Sequence, residues 1–363
     1  MNHIDYMQQA LLLAQNGSGQ VSPNPLVGAL IVKGDKIIGQ GYHERYGAPH
    51  AERNALANCS ENPKGATLYV TLEPCCHRGK TPPCTDAIIE SGITTVIIGM
   101  PDPNPKVAGG GIKILQDAGI SVLVGILEEQ CRKQNAVFLH YIQHKTPYVV
   151  MKYAMTADGK IATITGDSKW ISNELSRGHV QHTRHALSGI MVGIGTVLAD
   201  DPMLNARMKD AKNPIRIICD SKLQLPINSK IAQTAKDVPT ILAHASLDNS
   251  RIRQLEDLGL TLLFLPNGQG QVDLNALMQN LHHRAIDSIL LEGGSTLNFS
   301  MLTLGLVQKL QIYLAPKIFG GNGAKSPIGG TGIALAKDAI SLSAPSITQI
   351  GNDLLLEYDI IGG

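Results

Sequence analysis

Residues 49–54 read "PHAERN", and residues 72–87 read "LEPCCHRGKTPPCTDA". Zinc takes His nitrogen and Cys thiolate in tetrahedral sites, and a catalytic site leaves one of the four positions open. His50, Cys75 and Cys84 supply one nitrogen and two sulfurs, the ligand count of such an open site. Each is expected where a helix begins, and the partial positive charge of a helix N-terminus helps keep a thiolate ionised. Pro74 stiffens the approach to Cys75, and Pro82 and Pro83 do the same for Cys84. Glu52 follows His50 by two residues. Zinc lowers the pKa of water from about 15.7 towards about 7. A carboxylate beside it can take the released proton and return it to a leaving nitrogen. Glu52 is therefore the expected catalytic proton carrier.

The pattern H-x-E followed by P-C-x-x-C is the signature of zinc nucleobase deaminases. Here eight residues, "CHRGKTPP" (76–83), stand between the two Cys. The plain alternative is a structural zinc site, which completes four protein ligands, with Cys76 or His77 as the fourth. An acid two residues after a His, followed by Pro-Cys, favours catalysis. Cys76 is expected to be a neighbour of the site, because in an extended stretch its side chain points away from that of Cys75.

A chain of 363 residues favours two domains of ordinary size. Its 31 basic and 30 acidic residues leave a formal charge of +1, with no electrostatic footprint for nucleic acid or an anionic membrane. At 4% aromatic it has little surface on which to stack single-stranded bases. No apolar run reaches the roughly 18–20 residues that span a bilayer. "MNHIDYMQQALLLAQNG" (1–17) lacks the basic lead-in and cleavage site of a secretory signal. It reads as an amphipathic helix with Ile4, Met7, Leu11 and Ala14 on one side, ended by Gly17. A cytoplasmic protein is expected, whose six Cys are not disulfides. Only Cys219 lies beyond Cys131, and the clustering of Cys59, Cys75, Cys76, Cys84 and Cys131 favours a metal site. A homo-oligomer, dimer or tetramer, is also expected.

Strand and helix signals alternate along the first part. "LVGALIVK" (26–33) and "KIIGQGY" (36–42) read as paired strands across a Gly34–Asp35 turn. Then come helix "HAERNALAN" (50–58), strand "ATLYVTL" (66–72), helix "CTDAIIESG" (84–92), strand "TTVIIGM" (94–100), helix "GGIKILQDAG" (110–119) and a short strand "SVLVG" (121–125). One polar helix is expected from about Glu128 to His144, stopped before Pro147. The boundary is placed there, giving domains 1–145 and 146–363. The second part alternates again: strands at 147–155, 189–194, 215–220, 239–245, 261–265, 288–293 and 308–316, with helices starting near Asn173, Leu247, Asp273 and Thr296. A last strand pair, "ITQIGN" (347–352) and "LLLEYDI" (354–360), closes the chain. Both domains are expected to be α/β.

The second domain has no G-x-G-x-x-G; "GIGTVL" (193–198) lacks the third glycine. In "LLEGGSTLN" (290–298) a strand ends at Glu292, two glycines follow and a helix starts. Close backbone approach at a helix N-terminus makes an anion site.

Longer stretches carry a family resemblance. "SPNPLVGALIV" (22–32), "GYHERYGAPHAERNAL" (41–56) and "TLYVTLEPCCHRGKTPPCTDAIIESGI" (67–93) resemble the first half of the bifunctional RibD family of riboflavin biosynthesis, whose two Cys have the same eight-residue spacer. "MKYAMTADGKIA" (151–162), "SKWIS" (168–172), "GIGTVLADDPMLNAR" (193–207) and "LLEGGSTLN" resemble its second half. The resemblance implies a cytidine-deaminase-like zinc domain followed by a dihydrofolate-reductase-like α/β domain. The first would hydrolytically deaminate 2,5-diamino-6-ribosylamino-4(3H)-pyrimidinone 5′-phosphate at C2. The second would reduce the ribosyl group with NADPH, giving 5-amino-6-(5-phosphoribitylamino)uracil.

The resemblance also implies site residues. Asn24, His43, Lys80 and Thr81 would line the pyrimidine pocket, although Asn24 also suits a plain turn and Lys80 a solvated surface. Ala154, Trp170, Thr196, Asp200, Ser221 and the run Gly294, Ser295, Thr296, Leu297, Asn298, Phe299 and Ser300 would bind NADP. Ser168, Arg184, Leu204, Arg207 and Glu292 would bind the reductase substrate. The two arginines offer planar forks suited to its phosphate. Glu292 and Lys152 are the candidates for protonation during ribose opening. Two other classes compete: an RNA-editing zinc protein, against which charge and aromatic content count, and a structural zinc module fused to a reductase.

Overall fold

The computed structural model describes residues 2–77, 82–105 and 107–361. Two compact units divide it, Met1–Lys145 and Thr146–Gly363. Among the described residues no helix is long and apolar enough to cross a membrane.

The first unit opens with α1 (His3–Ala14), held at its start by a capping box: Asn2 Oδ1 accepts the Asp5 N–H at 3.0 Å, and the Asp5 carboxylate accepts the Asn2 N–H at 3.0 Å. Its buried side is Tyr6, Met7, Ala10, Leu11 and Ala14, whereas Ile4, expected on that side, is exposed. The chain then forms β1 (Gly28–Lys33), β2 (Lys36–Tyr42), α2 (Ala51–Ala57), β3 (Thr67–Leu72), α3 (Cys84–Glu90), β4 (Thr95–Met100), α4 (Gly110–Asp117) and β5 (Ser121–Val124). The sheet order is β2-β1-β3-β4-β5, antiparallel at β2/β1 and β1/β3 and parallel from β3 onward. β3 and β4 are apolar and buried almost throughout, as central strands covered on both faces are.

Two glycines set α2 close to this sheet. A Cβ on Gly39 would lie 2.5 Å from the Ala55 carbonyl oxygen, and one on Gly41 would lie 2.4 Å from the Ala55 nitrogen. They are two apart on β2 and so face the same side. The expected helix over 128–144 is broken into α5 (Glu128–Gln134) and α6 (Ala136–His144). Asn135 between them leaves helical geometry, and its amide pairs with the Leu26 backbone: Oδ1 accepts the N–H at 2.8 Å and Nδ2 donates to the carbonyl at 3.0 Å.

The second unit contains β6 (Tyr148–Thr156), α7 (Glu174–Ala186), β7 (Gly189–Gly193), α8 (Ile194–Asp200), β8 (Ile215–Cys219), α9 (Lys230–Gln233), β9 (Thr240–His244), α10 (Asn249–Asp257), β10 (Thr261–Phe264), α11 (Leu274–His283), β11 (Ser288–Leu291), α12 (Ser295–Thr303) and β12 (Lys309–Ala315). β13 (Ser341–Leu342), β14 (Ser346–Ile350) and β15 (Asp353–Ile361) finish it. The order is β10-β9-β8-β7-β11-β6-β12-β15-β13, with β14 also on β15. The strands from β10 to β12 are parallel, and β15 returns antiparallel. β11, late in the chain, is inserted between β6 and β7. The strand order reverses there, the place where open α/β sheets bind ligands at the carboxyl ends of their strands. Helix α8 was not anticipated, because "GIGTVLADD" is short and glycine-bearing. The α7, α10 and α11 starts are capped by Asn173, Asp248 and Asp273 side chains.

Candidate active sites

In the first unit His50 is the N-cap of α2 and Cys84 the first residue of α3. His50 Nδ1 lies 3.5 Å from both Cys75 Sγ and Cys84 Sγ. The three ligand atoms all fall within 4.8 Å of one another. Cys75 opens no helix of its own, contrary to expectation; it lies in the irregular segment after β3. It meets a helix start in space instead. The Cys84 N–H donates to Cys75 Sγ at 3.4 Å, and the N–H groups of Cys84 and Thr85 donate to the Cys75 carbonyl at 3.1 and 3.3 Å.

The electrostatics follow from this packing. The hydrogen bond from Cys84 pulls the Cys75 thiol down to about 4 against the cost of burial, with His50 assisting. Cys84 is pushed up by its hydrogen bond with Cys75 and by burial. The hydrogen bond to Cys75 raises His50. One nitrogen and two sulfurs, one already favoured as thiolate, are a donor set that suits zinc. Cys76 is not part of this cluster; its sulfur packs where a Cβ on Gly110 would lie, at 2.9 Å.

Glu52 stands in the first turn of α2, 3% exposed, and burial raises its carboxyl. It lines a cavity of about 420 Å³ together with His50, Cys75, Asn24 and His43. His43 Nδ1 is 3.1 Å from the Pro49 carbonyl, and His43 Nε2 is 3.1 Å from Asn24 Nδ2. Burial lowers the His43 pKa, so the neutral ring donates from Nδ1 and accepts the Asn24 amide at Nε2. Asn24 is thus turned into the pocket wall. Lys80 and Thr81 lie outside the described residues.

The same cavity is lined by His77, the alternative fourth ligand of a structural site, and by Glu73, Asp102 and Asn104, which the sequence did not single out. Asp102 is buried, and burial raises its carboxyl to about 6 although the Asn104 N–H donates to it at 2.9 Å. A signal existed: "PDPNP" (101–105) directly follows β4, so its polar residues sit at the carboxyl end of a parallel strand.

In the second unit the carboxyl ends of β7 and β11 lie side by side, and the Gly193 N–H donates to the Gly293 carbonyl at 2.9 Å. Gly293 and Gly294 have φ of +102° and +92°, a conformation L side chains rarely adopt. Thr196, in the first turn of α8, faces them: a Cβ on Gly294 would lie 3.5 Å from its Oγ1. Neither α8 nor α12 has a side-chain N-cap. Two helix starts without side-chain caps thus meet near the carboxyl ends of β7 and β11, and a helix N-terminus is a place that can take an anion.

The run 294–300 covers almost two turns of α12 and cannot face one ligand throughout. Leu297 packs on the core, and Asn298 is buried with Nδ2 donating to the Pro327 carbonyl at 2.9 Å. Phe299 packs against Gly330. Ser295 and Thr296 occupy the first turn, and Ser300 Oγ donates back to the Thr296 carbonyl at 3.1 Å.

The remaining positions separate. Glu292 follows β11, and Arg184 of α7 grips its carboxylate through two parallel bonds of 3.0 and 2.8 Å. Arg184 Nη1 donates to the Asn205 carbonyl at 3.0 Å, so its fork is engaged within the protein. Arg207 is exposed, with its N–H on Gln181 Oε1 at 3.0 Å. Leu204 is buried with φ +50°. Burial lowers Lys152, with Glu292 opposing and Arg184 assisting, and its Nζ stands 5.7 Å from the Tyr313 ring centre. Ala154 packs beside Tyr313 on β6. Trp170 is 59% exposed, with the Arg177 guanidinium 4.6 Å over its ring. Ser168 lies in the loop before it, and Asp200 is exposed at the end of α8. Ser221, just after β8, accepts the Val272 N–H at 3.1 Å through its Oγ.

A His–Cys–Cys cluster beside a buried carboxylate, on a sheet of this order, defines a cytidine-deaminase-type zinc domain, here followed by an α/β reductase domain. Residues 1–100 match the cytidine and deoxycytidylate deaminase zinc-binding region, and residues 147–356 match the RibD C-terminal domain. Riboflavin biosynthesis protein RibD of Actinobacillus pleuropneumoniae is 54% identical over 361 residues, covering 99% of this chain and 96% of that protein. RibD of Escherichia coli K12 is 39% identical, covering 97% of each. The crystal structure of a diaminohydroxyphosphoribosylaminopyrimidine deaminase/5-amino-6-(5-phosphoribosylamino)uracil reductase from Thermotoga maritima superposes with a TM-score of 0.88 at 37% identity, covering 99% of both chains. The chain belongs to the RibD family of riboflavin biosynthesis. It is a bifunctional deaminase and reductase.

Proposed function

We propose that the first unit deaminates 2,5-diamino-6-ribosylamino-4(3H)-pyrimidinone 5′-phosphate and that the second reduces the product's ribosyl group with NADPH. The observation that carries the reading is the convergence of His50, Cys75 and Cys84 beside buried Glu52 in one cavity. His50, Cys75 and Cys84 would hold zinc. Bound zinc supplies Lewis acidity and water acidic enough to ionise near neutral pH. Glu52, raised by burial, accepts a proton from water and delivers it to the pyrimidine ring, then takes the second proton from the newly added hydroxyl and delivers it to the amino group, which departs as ammonia. Asn24 and neutral His43 orient the heterocycle, and Asp102 and Asn104 form the wall beside them.

In the second unit the Gly293–Gly294 cradle, with Thr196 and Ser295, would hold the nucleotide phosphates. NADPH supplies the hydride. Arg184 holds Glu292 ionised and oriented, and Lys152 beside them is the cation placed to hand on a proton when the ribose opens. Exposed Arg207 is the arginine left for the substrate phosphate. The enzyme works in the cytoplasm as a homo-oligomer on this small-molecule substrate.

The test supplies the diaminopyrimidine nucleotide to zinc-loaded enzyme with and without NADPH and weighs the products. Replacement of one amino group by oxygen without NADPH, and two further hydrogens with it, is the expected result. Absence of the first product refutes the reading.

A further inference from the structure

Glu73 is a buried carboxylate that the chemistry above leaves without a task. It is 3% exposed, between the end of β3 and Pro74. Its Oε2 accepts the N–H groups of Asp102 and Gly109, both at 3.1 Å, and its Oε1 accepts the Ile112 N–H at 3.1 Å. One oxygen thus holds Asp102, second in the segment between β4 and α4, and Gly109, its last residue. Within it the Asn104 N–H donates to Asp102 Oδ1 at 2.9 Å, and the Val107 and Ala108 N–H groups donate to the Asn104 carbonyl at 2.8 and 3.0 Å.

The other half of the arrangement is α4. Its N-cap, Gly109, has φ +79° and no side chain to offer. Glu73 supplies the missing acceptor, and its charge suits a helix N-terminus. Gly111 lets the helix sit directly on the turn: a Cβ there would lie 2.1 Å from the Pro74 carbonyl oxygen. The Glu73 N–H also donates to the Met100 carbonyl at 3.0 Å, extending the β3/β4 pairing. Thus the turn that carries Cys75 and the wall that carries Asp102 and Asn104 meet at one side chain.

We propose that Glu73 is a positioning residue of the deaminase, setting the Asp102–Asn104 wall at its distance from the Cys75 side of the pocket. This rests on the deaminase reading above. Both Glu73 oxygens are engaged by backbone N–H groups, and it acts through them.

The test uses full-length, zinc-loaded enzyme. Glu73→Gln keeps the shape but puts an NH₂ among three N–H donors, leaving at least one without an acceptor. Zinc stoichiometry and reduction of supplied deaminated substrate should be unchanged, while the deaminase KM rises on the order of tenfold or more with a smaller change in kcat. On an Asp102→Ala background the same substitution should cost under about threefold, because the Asp102 carboxylate that Glu73 sets in place, and its hold on the Asn104 N–H, are already gone. A wild-type KM, loss of zinc, or a full additional penalty on the Asp102→Ala background overturns the proposal. If Glu73→Gln does not accumulate as folded protein, Glu73→Asp, which withdraws the carboxylate by one methylene, is read in the same cycle with the same expectations. Wild-type enzyme that releases no ammonia defeats the deaminase reading itself, whereas active wild type with an indifferent Glu73→Gln defeats only this one.

Discussion

Arg184 and Glu292 meet fork to fork, Nε to Oε1 at 3.0 Å and Nη2 to Oε2 at 2.8 Å, with 13% and 11% of their side chains exposed. Burial alone would raise the Glu292 carboxyl, but Arg184 and then Lys152 outweigh it and hold it at about 2. Removing one partner leaves the other buried and uncompensated, so Arg184→Ala should destabilise the reductase unit by about 3 kcal/mol. The folded pKa lies below the ordinary value of 4.5. The pair's contribution is therefore complete above about pH 4.5 and lost as pH falls towards 2. Denaturant unfolding followed by Trp170, the chain's one tryptophan, reports this unit alone. A wild-type advantage over Arg184→Ala that does not shrink across that acid range would show that the ion pair is not its source.

Glu52→Ala should lower deamination by about 10²–10⁴-fold, the usual worth of a general acid–base group, and leave zinc bound. Metal analysis and ammonia release are measured on the same sample. Loss of zinc would make Glu52 a ligand. Reduction of supplied deaminated substrate should persist, because Glu52 lies in the other unit.

Cys75→Ala and Cys84→Ala should lose zinc, and Cys76→Ala should keep it. Cys76 stands outside the His50–Cys75–Cys84 cluster, against Gly110. Equal metal loss from Cys76→Ala and Cys84→Ala would mean a four-ligand, structural site.

Arg207→Ala should raise the reductase KM for the phosphorylated substrate on the order of 10–100-fold and barely move that for NADPH, the effect of losing a charge-assisted hydrogen bond. The contrast with Arg184, whose fork is already engaged, is the reason to expect a pure binding defect. A parallel rise in both KM values would move Arg207 to the cofactor.

NADPH should quench Trp170 fluorescence saturably, because reduced nicotinamide absorbs where tryptophan emits. The ring is exposed and flanked by Arg177, so a nucleotide can approach it. Chelation of zinc should leave the quenching unchanged. Full NADPH binding by calorimetry with no change in emission would remove Trp170 from the cofactor site.

Two of the three residues that cluster, His50 and Cys84, are announced locally, whereas Cys75 meets a helix start only in space. His50 opens a helix with Glu52 in its first turn, and Cys84 opens the next, so spacing and helix starts carry the information. The α/β alternation was legible for the same reason: strand and helix periods are properties of short windows. Helix α8 and the break at Asn135 were not, since one is short and glycine-bearing and the other is made by Leu26, over a hundred residues away. The strand order belongs to tertiary structure alone. No local signal says that β11 enters between β6 and β7, yet that insertion brings Gly293 to Gly193 and Glu292 to Arg184. Likewise Pro74 announces a stiff approach to Cys75, but only the packing of α4 reveals that Glu73 holds Asp102, Gly109 and Ile112. A side chain's type follows from its codon; the partner that satisfies its buried charge is chosen by which elements the folded core sets side by side.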